Sequence, residues 1–148
     1  MKPERDAARN QNGALRNRMV YALTLLCVIG AGISIRKVVP GLPTLFMKIA
    51  GDALWALAVF LFFALVMPRR PTQYIGSAAG LFSAGIEFSQ LCQAHWLNSL
   101  RRTLPGRLIL GSVFAWADFS YYALGIVLGI LFDSALRGRK RSAANKIL

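Results

Sequence analysis

Four long apolar runs, separated by short basic clusters, leave this 148-residue chain few ways to fold. The first covers residues 19–35, between Arg18 and Arg36. The second ends at Met67, before Pro68, Arg69, Arg70 and Pro71, a turn whose prolines cannot continue a helix. The third runs from about Tyr74 to Leu91, and the fourth ends near Phe132, ahead of a basic tail. In a bilayer the backbone must satisfy its own polar groups, so such runs are expected to be helices. The predicted fold class is all-α integral membrane, with four transmembrane helices forming one domain over residues 19–132. Residues 1–18 and 133–148 read as basic flanking segments. The first run superficially resembles a signal peptide, but it is longer than a usual signal core and Gly30-Ala31-Gly32 is a weak cleavage site. An uncleaved first helix is the favoured reading.

Charge then gives orientation and removes one class of function. Lys and Arg total 18 against 6 Asp and Glu, in a chain that is 55% hydrophobic. A soluble nucleic-acid binder would gather that charge on one face, whereas here it lies between apolar runs. Nucleic acid is therefore not an expected partner. Four crossings put twelve cations on the side of the termini and six on the other. The positive-inside rule places both termini in the cytoplasm of a bacterium, with the protein multi-pass in the inner membrane. Cys27 and Cys92 lack metal-ligand spacing and read as small apolar residues.

Three acids fit this pattern badly. Asp52, Glu87 and Asp118 are the only acidic residues between Asp6 and Asp133, and each lies in or beside an apolar run. An acid within a span is costly and is a functional candidate by default. Sixteen residues separate Asp52 from Arg69, sixteen separate Arg70 from Glu87, and fourteen separate Asp118 from Asp133. A crossing needs about 20 residues, so the helices must continue past their acids. At 1.5 Å per residue, all three carboxylates fall about 25–28 Å from the cytoplasmic arginines, in one layer beneath the outer face.

Helical spacing supplies faces for two of them. Gly76, Gly80, Ser83, Glu87 and Gln90 form one stripe, and Asp118, Tyr122, Gly125 and Gly129 form another. Small residues at such spacing let membrane helices approach closely, so the two stripes are expected to pack below a shared polar pocket. Whether Asp52 joins it is open. The connection after Gln93 carries His95, Trp96, Arg101, Arg102 and Arg107. It ends in an apolar stretch, residues 108–116, read as a re-entrant or interfacial segment in preference to an early start of the fourth helix.

With these residues in place, the chain resembles a family of small bacterial membrane proteins known only as a domain of unknown function, domain twenty-eight-oh-nine. The matching elements are Gly51-Asp52-Ala53-Leu54-Trp55, Glu87-Phe88-Ser89-Gln90-Leu91, His95-Trp96-Leu97 and Leu100-Arg101. Gly106-Arg107-Leu108, Leu110-Gly111, Asp118, Tyr122 and Gly125 follow. The likeness covers about residues 16–132. More distantly, Glu87, Gln90, Arg107, Asp118, Gly125 and Gly129 are similar to the pattern of VanZ-like families. Tyr122 stands where those usually carry Asn. The resemblance implies a cell-envelope membrane protein and supplies no reaction.

The candidate binding residues are Asp52, Glu87, Gln90, His95, Arg101, Arg107 and Asp118, with Glu87 and Asp118 the candidates for any catalytic step. Arginine forks suit phosphate, and these lie at headgroup depth. The leading expectation is a ligand among membrane lipids: a polyprenyl phosphate, an anionic lipid or a glycolipid head. Two alternatives stand beside it: a structural salt-bridge network, and a proton- or cation-coupled transporter subunit that would need to form a homo-oligomer. There is no catalytic triad and no metal motif, so an enzyme is the less favoured class and no cofactor is expected.

Overall fold

The computed structural model describes residues 16–38, 43–111 and 113–145; the side chains of residues 36–38, 104, 107 and 139–145 lie outside that description. Every regular element among the described residues is helical: α1 (Arg18–Val38), α2 (Thr44–Val66), α3 (Thr72–Ser89), α4 (His95–Arg102), α5 (Leu104–Leu110) and α6 (Asp118–Asn145). Prolines punctuate the order. Pro43 precedes α2, Pro71 precedes α3, and Pro68 falls where α2 stops. The Thr103 hydroxyl caps α5 by accepting the Gly106 N–H at 3.2 Å. A β-carbon on Gly106 would lie 1.9 Å from the Leu100 carbonyl oxygen, so only glycine fits this α4–α5 corner.

Three helices, α1, α2 and α6, are long and apolar enough to cross a membrane. They point to a membrane protein. The helix α3 has 18 residues but carries Thr, Gln, Ser and Glu among its apolar side chains, which keeps it out of that group. It packs against α2 and α6. The last helix does not stop at Phe132; it continues to Asn145, so the boundary expected at residue 133 is not a helix boundary. Its start is at Asp118. Residues 108–116 are divided between the end of α5 and an irregular connection, with residue 112 outside the described residues.

The centre of the molecule is α2, which packs against α1, α3 and α6. Tyr21, Phe60, Leu61, Ala64, Ile75 and Ala79 are buried together, with Ile126 and Ile130 against them. The outward face of α1 shows Met19, Leu23, Leu26, Ile29 and Ile33, as expected of a helix whose solvent is hydrocarbon.

Glycines decide the closest approach, and here the expected pairing changes. A β-carbon on Gly125 would meet the Ala53 carbonyl oxygen at 2.1 Å, and one on Gly129 would meet the Phe60 ring at 2.6 Å. The glycine stripe of α6 therefore receives α2, not α3. The glycines of α3 instead make room for isoleucines of α6: Ile130 lies 3.0 Å and Ile126 3.8 Å from ideal β-carbons on Gly76 and Gly80. Each small residue accepts bulk from its neighbour, which two glycine faces opposed to each other could not supply.

Candidate functional site

The two stripes still meet at one end through long side chains. Glu87, in the last turn of α3, is fully buried. Its Oε2 accepts the Tyr122 hydroxyl at 2.8 Å and the Gln90 amide at 3.1 Å, and its Oε1 accepts the Ala115 N–H at 2.8 Å. All three donors are neutral. Tyr122 reaches in from α6, one turn beyond Asp118, and Ala115 comes from the connection that precedes α6.

Asp118 belongs to a second cluster. Lys48, in the first turns of α2, makes an ion pair with Asp118 and a second one with Asp52 at 3.2 Å. Lys48 and Asp52 are four residues apart on one helix face, so a single ammonium can hold both carboxylates. Asp52 thereby joins Asp118 through Lys48, while Glu87 bonds Tyr122, Gln90 and Ala115. Asp118 also sits in the first turn of α6, where the helix dipole favours an anion. Trp55 packs beside the Glu87 cluster, its ring centroid 5.4 Å from that of Tyr122 and 6.3 Å from that of Phe82.

Among the described residues, the cation that pairs with these acids is a lysine that helical spacing could have found, since Lys48 precedes Asp52 by four residues. The structural-network alternative would pair loop arginines with the acids; among the described residues Asp52 and Asp118 make ion pairs with Lys48. Arg101 turns back toward the end of α3, donating to the carbonyls of Ser89 at 2.5 Å and Cys92 at 3.0 Å and to Asn98 Oδ1 at 3.1 Å. The last carbonyls of a helix lack intrahelical partners, and a guanidinium on an adjacent short helix satisfies them well. The Arg107 side chain lies outside the described residues. His95 opens α4 and is exposed, and Gln90 is buried beside Glu87. Both cysteines are free and exposed.

A third polar cluster at the opposite end escaped the sequence reading. Arg16 and Asp133, both assigned to flanking segments, are buried against each other. Asp133 accepts from Arg16 Nε at 2.7 Å and Nη2 at 2.6 Å, and from the hydroxyls of Tyr21 and Thr72 at 2.5 Å each. The remaining guanidinium nitrogen donates to the Arg70 carbonyl at 2.7 Å. This clasp joins the approach to α1, the α2–α3 turn and α6. Its signal was present but weak: Asp133 is an isolated acid with Arg137 one turn away, which resembles a solvated tail.

Beside the Lys48 cluster lies an apolar groove of about 460 Å³. Its walls are Leu25, Val28, Ile29, Gly32 and Ile33 of α1, and Gly51, Leu54, Trp55, Ala58, Val59, Phe62 and Phe63 of α2. Phe82 of α3 completes the wall, and Pro105, Leu108 and Ile109 of α5 close one end. The rise from Gly51 to Phe63 makes it about 18 Å long. Asp52 stands three and seven residues before Trp55 and Val59, so its carboxylate marks the loop-side end of a groove-lining stripe. Among the described residues, no three His, Cys, Asp or Glu side chains converge as a metal centre would require.

No solved structure matches this chain. A family described as protein of unknown function matches residues 41–126, more than half of the chain. That segment contains Lys48, Asp52, Glu87, Gln90, Asp118 and Tyr122, and leaves out Arg16 and Asp133. The chain belongs to this family, DUF2809.

Proposed function

We propose that this is a lipid-binding protein of the bacterial inner membrane, in which α1, α2, α3 and α6 all cross the bilayer and both termini face the cytoplasm. The helix α3, at about 27 Å, nearly matches a hydrocarbon core of about 30 Å and turns its polar stripe inward. The groove between α1 and α2 takes one hydrocarbon chain of a lipid, and the Lys48–Asp52–Asp118 cluster meets its head. The groove is the observation that carries this reading. It is apolar along its length, and its roughly 18 Å reach resembles the roughly 15 Å depth of one leaflet.

The polar end favours one kind of head. Lys48 meets Asp52 and Asp118 there, and Arg101 donates to backbone carbonyls. Such a set offers both donors and acceptors, which suits the hydroxyl groups of a sugar or polyol head. Of the heads expected from the sequence, a glycolipid fits better than a polyprenyl phosphate.

Gly32→Leu tests the reading. A β-carbon at Gly32 finds only Leu54 Cβ, at 4.0 Å, so the new side chain enters the groove without a backbone clash. Mass spectrometry of purified protein should find sugar- or polyol-headed lipid retained by the wild type and lost in Gly32→Leu. Equal retention by both proteins contradicts the groove, and retention of phosphate-headed lipid alone contradicts the choice of head.

A further inference from the structure

The short helix α4 divides its surface three ways. Successive helical residues turn by about 100°. Leu97 and Arg101 therefore share one face, Trp96 and Leu100 a second, and His95, Ser99 and Arg102 a third. The first face is buried, and Arg101 fastens it by donating to the carbonyls of Ser89 and Cys92 at the end of α3. The third face is polar and exposed. The second is exposed as well, Trp96 by 69% and Leu100 by 47%. One exposed leucine would say little. Here a whole open face is apolar while the other open face is polar, as in a helix lying in the plane of a membrane surface.

Its position agrees. At about 12 Å, α4 is too short to cross a bilayer. It is fastened to the end of α3, and that end lies beside the start of α6, where the Phe88 and Phe119 ring centroids are 5.7 Å apart. The helix α6 is long and apolar enough to span a membrane, so α4 stands at one end of that span. Leu81 and Phe88, seven residues apart on the outward face of α3, are exposed, as is Leu91 beyond them. Apolar surface thus runs up α3 to the turn that leads into α4. Phe88, Phe114, Trp116 and Phe119 form an aromatic cluster at the same end, with Trp116 74% exposed. Tryptophan favours the membrane–water boundary, where its ring is apolar and its N–H stays wet.

We propose that α4 is an interfacial helix whose partner is the lipid surface. Trp96 and Leu100 lie among the upper acyl carbons, and His95, Ser99 and Arg102 lie among headgroups and water. The Arg102 guanidinium, at the polar edge, suits lipid phosphates. This surface is separate from the groove and does not depend on what fills it.

The test is spin labelling of the full chain, with Cys27→Ser and Cys92→Ser, in nanodiscs of phosphatidylcholine and phosphatidylglycerol. The variants His95→Cys, Trp96→Cys, Ser99→Cys and Leu100→Cys each carry one nitroxide. Electron paramagnetic resonance compares its collisions with oxygen, which concentrates in hydrocarbon, and with a water-soluble nickel chelate. The oxygen-to-nickel ratio should be several-fold higher at Trp96→Cys and Leu100→Cys than at His95→Cys and Ser99→Cys. A low ratio at all four shows α4 standing in water, and a high ratio at all four shows it sunk within the bilayer; either result overturns the proposal. So does poor collision with both reagents at Trp96→Cys and Leu100→Cys, the sign of a protein partner over that face.

Discussion

Removing Asp133 should cost far more than its place in a supposed tail suggests. The carboxylate accepts two bonds from Arg16 and one each from Tyr21 and Thr72. Both charged side chains are fully inaccessible. Asp133→Ala leaves the guanidinium buried with only carbonyl partners, and breaking a buried pair from one side costs about 3–5 kcal/mol. Arg16→Ala should cost a similar amount from the other side. Tyr21→Phe removes one hydrogen bond to a charged acceptor and should cost about 1.5–3 kcal/mol. The double variant Arg16→Ala with Asp133→Ala strands neither charge, so it should be much less destabilised than the two single losses combined. Equilibrium unfolding of all four variants in mixed detergent micelles measures this. The reasoning fails if Asp133→Ala costs less than about 1 kcal/mol, the range of an exposed pair. It also fails if the double variant equals the sum of the singles.

Helix packing and orientation give further expectations. Gly125→Ala drives a β-carbon into the Ala53 carbonyl and should destabilise by about 1–3 kcal/mol or more. Gly85→Ala meets nothing within 4 Å, and it should be neutral or stabilise by up to about 1 kcal/mol. The same unfolding assay separates them, and equal effects would contradict the α2–α6 contact. For orientation, a chain with Cys27 and Cys92 replaced by Ser should label from outside at Ser99→Cys. At Gln73→Cys, an exposed position beside the α2–α3 turn, labelling should appear only after permeabilisation. The reverse pattern would place the Lys48 cluster on the cytoplasmic side.

How much of this was legible in the sequence depends on range. Apolar length and proline punctuation located α1, α3 and the end of α2 to within a few residues, because a membrane helix is specified by its own segment, but they missed the continuation of α6 from Phe132 to Asn145. Rise per residue, another local quantity, leads one to expect Asp52, Glu87 and Asp118 at one depth, and Asp52 and Asp118 do share Lys48. Partner choice did not follow. Arg101 looked like a mate for the acids, but an eight-residue helix turned it toward the unfilled carbonyls of α3. The glycines of α6 looked like a face for α3, yet a glycine stripe records only that something comes close. Arg16 and Asp133 are 117 positions apart, and no periodicity connects residues that meet only after the bundle closes.

The central claim, a hydrocarbon chain in the groove between α1 and α2, is tested most directly at Trp55. The chain has three tryptophans, and Trp96 and Trp116 are largely exposed. With both replaced by Phe, Trp55 reports alone from the groove wall. Titrating a glycolipid brominated on its acyl chain into the micellar protein should quench this fluorescence with saturation at about one lipid per chain. Adding Gly32→Leu should remove the saturable component. Quenching that rises without saturation, or that Gly32→Leu leaves unchanged, would show that the lipid only bathes the helices and does not enter the groove.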